Sequence, residues 1–130
     1  MSLTPTLRYG ATMVPVRDVA RSVDFYVLTL GFTVVFQAED NSVANVHRGP
    51  VHIHLQACDD EDVLKVTAEN IAVYIEVDGL DALWLEFSPR LSKLPQGSVR
   101  PPFDQPYGMR EFHVKDLDGM LMFFGEEIAG

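Results

Sequence analysis

Apolar and polar positions follow two different periods along this chain, and the switches between them mark out the elements. Thr12-Met13-Val14-Pro15-Val16 reads as a short strand ending at Arg17-Asp18, with Asp18 placed to cap a helix. Val19, Val23, Tyr26, Val27 and Leu30 then recur on one helical face, and Gly31 supplies a usual stop. Phe32 to Gln37 alternates weakly as a second strand. Asn41 and Gly49-Pro50 mark turns on either side of a short strand around Val43 to His47. Val51 to Gln56 alternates clearly: Val51, Ile53 and Leu55 share one face, and His52, His54 and Gln56 share the other.

The pattern restarts after the acidic run Asp59-Asp60-Glu61-Asp62, which reads as a loop. Ile71 to Val77 is a strand, and Asp78-Gly79 turns the chain into a helix carrying Leu80, Leu83, Trp84 and Phe87, with Trp84 on the core stripe. Pro89 to Pro106 is rich in breakers and predicts a loop with one short strand. Met109 to Val114 and Met120 to Phe124 form a hairpin around Asp116-Leu117-Asp118-Gly119. At an offset of 61 residues the halves align without a gap through strand and helix: Ala11 falls on Ala72, Val14 on Ile75, Val16 on Val77, and Tyr26 on Phe87. The prediction is an α+β fold, one domain over 1–130, built from two βαβββ modules at about 8–58 and 69–127.

Composition narrows the function classes. The formal net charge is −9, and Lys and Arg do not cluster, so nucleic acid is not an expected partner. An acidic surface attracts a cationic ligand or simply keeps a protein soluble. No apolar run approaches the roughly 20 residues of a membrane-spanning helix, so no membrane partner is expected. The N-terminus lacks a basic-then-apolar signal pattern, and the single Cys58 has no internal disulfide partner; both fit the cytoplasm. Cys58 also lacks a His or basic neighbour in sequence that would activate a thiolate.

Val14-Pro-Val-Arg-Asp-Val-Ala-Arg-Ser-Val-Asp-Phe-Tyr26 followed by Leu30-Gly31-Phe32 resembles the opening of the glyoxalase, dioxygenase and antibiotic-resistance proteins of the vicinal oxygen chelate superfamily. Gly79-Leu-Asp-Ala-Leu-Trp-Leu-Glu-Phe-Ser88 and Gln105-Pro-Tyr-Gly-Met-Arg-Glu-Phe-His-Val-Lys-Asp-Leu-Asp-Gly119 look closer to its bleomycin-resistance branch. The resemblance implies cup-shaped mixed sheets with helices on their outer faces, a homodimer with ligand clefts at a module or subunit interface, and, in this branch, sequestration of the drug without chemical change. Pro15 interrupts the first strand, which in the branch accompanies exchange of that strand between subunits; an unexchanged edge strand explains it equally well.

Superfamily enzymes hold a divalent ion with four His or Glu side chains. The motif carries those positions to Ala11, His54, Ala72 and Phe123, three of which lack a lone pair, so neither a metal nor another cofactor is expected. His52 and His54 point the same way and leave an atypical metal open. The candidate ligand-binding residues are His52, His54, Tyr74, Glu76, Tyr107, Phe123 and Phe36, an aromatic and apolar floor with a few polar groups. Tyr107 matches a position where the resistance branch often carries tryptophan. Arg110 and Glu111 receive no chemical role and no residue is assigned as catalytic. The leading expectation is a metal-free binding protein for a bleomycin-like or other cationic aromatic compound. The alternatives are a glyoxalase-like lyase or isomerase using His54 with Glu76 or an atypical metal, and a metabolite sensor.

Overall fold

In the computed structural model, which describes residues 3–129, two four-stranded mixed sheets are each built from one continuous stretch of chain. Strands β1 (Ala11–Val16), β2 (Thr33–Gln37), β3 (Val43–Arg48) and β4 (Val51–Ala57) lie in the order β1-β4-β3-β2. Strands β5 (Ala72–Glu76), β6 (Val99–Asp104), β7 (Met109–Lys115) and β8 (Leu121–Glu127) repeat that order as β5-β8-β7-β6. The β1–β4 and β5–β8 pairs are parallel and the others antiparallel. The 61-residue offset holds in space, because Val14 pairs with Leu55 just as Ile75 pairs with Phe124. Within the chain β1 pairs with β4, and Pro15 sits on that edge strand, where a missing ladder donor is tolerated.

Helix α1 (Val19–Asp24) begins at Asp18, whose carboxylate accepts the Arg21 N–H at 3.1 Å. It runs straight into a π-helical turn at Phe25–Thr29 before Gly31 reverses the chain at φ 74°. The extra residue in that turn explains why Phe25 is buried beside Tyr26, although a regular helical face would leave it out. Val19, Val23, Tyr26 and Leu30 pack as their spacing predicts. Helix α3 (Leu80–Leu91) packs on the π turn and on β6, β7 and β8. Its Phe87 meets Phe112 and Phe124 edge-on at 5.9 and 5.5 Å within an apolar cluster that includes residues of both modules.

Two local expectations need correcting, and a third holds. The acidic run is not a loop but the start of α2 (Glu61–Asn70): Asp60 accepts the N–H groups of Asp62 and Val63 at 3.0 and 3.2 Å, and Glu61 and Asp62 suit the positive end of the helix. Pro89 does not end α3, which continues to Leu91. A proline leaves the carbonyl four residues back without a donor; here that residue is Leu85, 73% exposed, so water can take the bond. The breaker-rich segment does contain the one short strand expected of it, β6, with Pro101 and Pro102 inside it, and they survive because β6 is an edge strand. A one-residue bulge accompanies them between Arg100 and Phe103, and the other module carries a bulge at the matching edge, between Val34 and Phe36 of β2.

Candidate functional site

The sheet faces turned away from the core carry the candidate residues, divided between two cups. In the second cup, cross-strand pairing places Tyr74, Phe123, His113 and Arg100 in one row and Glu76, Gly125, Glu111 and Phe103 in the next. Tyr74 leans across Gly125 to reach Glu111, its hydroxyl donating at 2.9 Å. A Cβ at Gly125 would collide with that ring and hydroxyl, so a glycine is what lets the tyrosine lie there. Tyr107 donates to the same carboxylate at 2.5 Å and Gln105 Nε2 at 3.0 Å; His113 Nε2 lies 2.9 Å away. Glu111 is fully buried beneath these four side chains.

A buried carboxylate is costly unless its charge is met by donors. Desolvation pushes the Glu111 carboxyl up, but hydrogen bonds led by Tyr107, then His113, Gln105 and Tyr74, outweigh it and hold it at about 2. The tyrosines answer in the opposite sense. Burial and the bond to Glu111 push Tyr74 up to about 12, and the bond to Glu111 raises Tyr107. Both hydroxyls therefore keep their protons and act as donors, while their rings stay open: Tyr74 is 46% and Tyr107 59% exposed. Phe123 completes the floor, 4.2 Å from His113 and 5.7 Å from Tyr74 between ring centres, and Phe103 meets His113 edge-on at 5.1 Å. The cup is thus an aromatic floor over a fixed negative charge.

The first cup has another chemistry. His52 stacks on Tyr9 at 3.7 Å and on His47 at 5.2 Å, giving a run of three rings. Burial and then the neighbouring His47 and His54 lower the His52 pKa, which favours the neutral ring. His54 shares a row with Met13 and Asn45, and the β2 bulge brings Phe36 into that row. The His54 Nε2 atom is buried without a partner. Met13 and Phe36 are more than half exposed.

The seven sequence-predicted residues therefore fall into two groups: His52, His54 and Phe36 in the first cup, and Tyr74, Glu76, Tyr107 and Phe123 in the second. Within one chain His54 and Glu76 belong to different sheets, so a proton relay between them has no support in the pairing. Glu111 is the residue that sequence reasoning missed. The available signal was the parity of β7, which puts Glu111 and His113 on one face. The ring of donors comes from residues two to 37 positions away and is visible only in three dimensions. Trp84 packs against Phe112 at 5.2 Å, partly buried against the core on the expected face.

Ala11, Ala72 and Phe123 offer methyl and phenyl groups where superfamily enzymes need metal donors, and His54 is the only donor of the four. That set does not fit a divalent ion of the usual kind. Among the described residues no three His, Cys, Asp or Glu side chains converge as metal ligands.

Paired βαβββ modules with helices on one side and open sheet faces on the other define the fold class of this chain. Residues 8–124 match the model of the Glyoxalase/Bleomycin resistance protein/Dioxygenase superfamily, and the chain belongs to that family. Bleomycin resistance proteins of Geobacillus stearothermophilus and Staphylococcus aureus are each 30% identical to it, over 88% of this chain and 92% of the relative. The solved bleomycin-binding protein of the bleomycin-producing Streptomyces verticillus, complexed with copper(II)-bleomycin, is 29% identical and superposes with a TM-score of 0.76 over 98% of this chain and 99% of that one. TioX from Micromonospora sp. ML1 shares the fold, at 17% identity and a TM-score of 0.72 over 92% of this chain and 98% of that one.

Proposed function

We propose that this protein sequesters a planar, cationic, bleomycin-like compound without changing it chemically. The observation that carries this reading is the second cup, where Tyr74, Tyr107, Phe123 and His113 spread aromatic surface around the buried Glu111 carboxylate. Aromatic faces stack on planar ligands and attract cations, and a fixed anion beneath them strengthens that attraction. Two relatives named for bleomycin resistance and a bleomycin-binding neighbour at comparable identity support the drug class. The cation would sit at the Glu76 side of the cup, away from the row that ends at Arg100.

Neither cup surrounds a ligand on its own, and both leave aromatic or apolar groups open: Phe36 and Met13 in one, Tyr74 and Tyr107 in the other. A homodimer that sets one chain's cup against its partner's would close both, with β1 either retained or exchanged. Such a protein would work in the cytoplasm, where a captured drug is kept from its target. No helix among the described residues is long and apolar enough to cross a membrane.

The test is calorimetric titration of chelator-treated protein with metal-free bleomycin and then with its copper complex. Saturation near one ligand per chain, with the ligand's mass unchanged afterwards, is the expected result. Absence of binding to either form rejects the bleomycin class, and a changed ligand mass rejects sequestration.

A further inference from the structure

The pseudo-twofold relation between the modules creates two equivalent seams, and among the described residues only one is filled. At the filled seam, α2 spans from the β1–α1 turn to the β7–β8 turn. Its Glu61 pairs with Arg17 at 2.6 Å, and a Cβ at Gly119 would touch Ala68. Arg17 also reaches Asp118 at 3.5 Å, and Leu64 of α2 is 4% exposed. Beneath this cover Val14 and Val16 are sealed.

At the other seam, the β3–β4 turn faces the β5–α3 turn across an open cleft of about 430 Å³. Its floor is apolar, formed by Val51, Ile75, Leu83 and Phe124 among others, and the Arg48–Glu86 ion pair at 2.7 Å closes one side. The volume lies within the range of small-molecule sites, roughly 300–1,000 Å³. The repeat relation also indicates which charge belongs in the cleft. The position of Arg17 at the filled seam is occupied by Asp78 at the open one. Arg48, the cation of this lining, is already bound to Glu86 and to the Leu30 carbonyl. Where α2 brings a carboxylate to an arginine and a leucine to the floor, the open seam offers a carboxylate and an apolar floor edged by half-buried Val51 and Leu83.

We propose that this cleft is a second binding site, separate from the aromatic cups, for a small amphipathic cation: an aliphatic body on Val51, Ile75 and Leu83 with its ammonium at Asp78. The occupant inverts the charge of the α2 segment that fills the sister seam. An aliphatic rather than planar body separates this site from the cups, so success or failure here is independent of the drug-binding reading.

The experiment is titration of the intact protein, carrying 13C-labelled isoleucine δ-methyls, with hexylamine and with hexanol as its uncharged counterpart. The Ile75 methyl reports the cleft, and the fully buried Ile53 reports the remote first-module core. We expect hexylamine to move Ile75 saturably, with a Kd on the order of 1 mM for so small a ligand, and to leave Ile53 in place. Hexanol should bind about three-fold more weakly, a ratio typical of one partly exposed ion pair, and Asp78→Asn should erase that difference. Ala82→Phe, on the exposed side of α3 at the cleft, should abolish the Ile75 shift, with an unchanged Ile53 signal confirming the fold. An Ile75 methyl that hexylamine leaves unmoved, or a shift that persists in Ala82→Phe, overturns the site. Equal affinity for hexanol and hexylamine overturns the cationic class.

Discussion

The two cups share strand order, register and a bulged edge strand, yet they solve the problem of an open polar face in opposite ways. The second is organised by one buried charge, Glu111, to which four side chains are tied. The first has no such centre: its histidines stack on one another and on Tyr9, and His54 Nε2 is left unpaired. The repeat thus supplies a scaffold, while single positions in the cross-strand rows decide whether a cup is rigid or loosely held.

The largest effect should come from removing the centre of the rigid cup. Glu111→Ala removes the shared acceptor of four part-buried side chains and should cost roughly 2 kcal/mol in a urea melt; Glu111→Gln, which keeps an acceptor oxygen, should cost less. A loss under about 1 kcal/mol in the alanine variant would break the comparison, because the second cup would then be no more tied together than the first. Next in size is ligand affinity. Tyr107→Ala and Phe123→Ala should each weaken binding of metal-free bleomycin by about ten-fold, the scale of a lost aromatic contact, without unfolding the protein. Unchanged affinity in both would refute the aromatic floor as the binding surface.

Acid should separate the cups by pH window. Glu111 has a folded pKa of about 2, below the unfolded value of about 4.3. Its contribution is therefore present above that unfolded value and lost as pH falls toward 2. His52 also titrates lower in the folded state, through burial and its His47 and His54 neighbours. The folded state is thus penalised as pH falls through the ordinary histidine range, about 6.5. Melts against pH should show both limbs: Glu111→Gln should flatten the more acidic one and His52→Gln the milder one. A profile unaffected by either variant would deny both assignments. The smallest effect is expected for His54→Leu, which deletes an unpaired buried nitrogen and should change stability by less than about 1 kcal/mol.

Periodicity made the architecture legible because strand and helix faces are written at spacings of two and three to four residues. It made Trp84, Tyr26 and the 61-residue repeat legible for the same reason. It was blind where a single side-chain bond decides the outcome. Asp60 turns an acidic run into a helix start, and the π turn brings Phe25 inward. Pro89 is tolerated where its orphaned carbonyl meets water. For the site, strand parity and resemblance selected the candidate rings for one cleft, and only the sheet pairing divides them between two cups. The anion that orders one of them stayed hidden, because its partners Gln105, Tyr107, His113 and Tyr74 converge only after β5, β7 and β8 have paired.

The bulges in β2 and β6 also bear on how such a protein changes over generations. A bulge is a parity switch: past the extra residue, every side chain of that strand moves to the opposite face. Without it, Val35 rather than Phe36 would stand opposite Asn45 in the first cup. Because both bulges lie on outermost strands, a one-codon insertion or deletion there exchanges which residues face the cup while every inner pairing stays intact. The fold thus has a route to new specificities through changes of length, in addition to the slower route of substituting one side chain at a time.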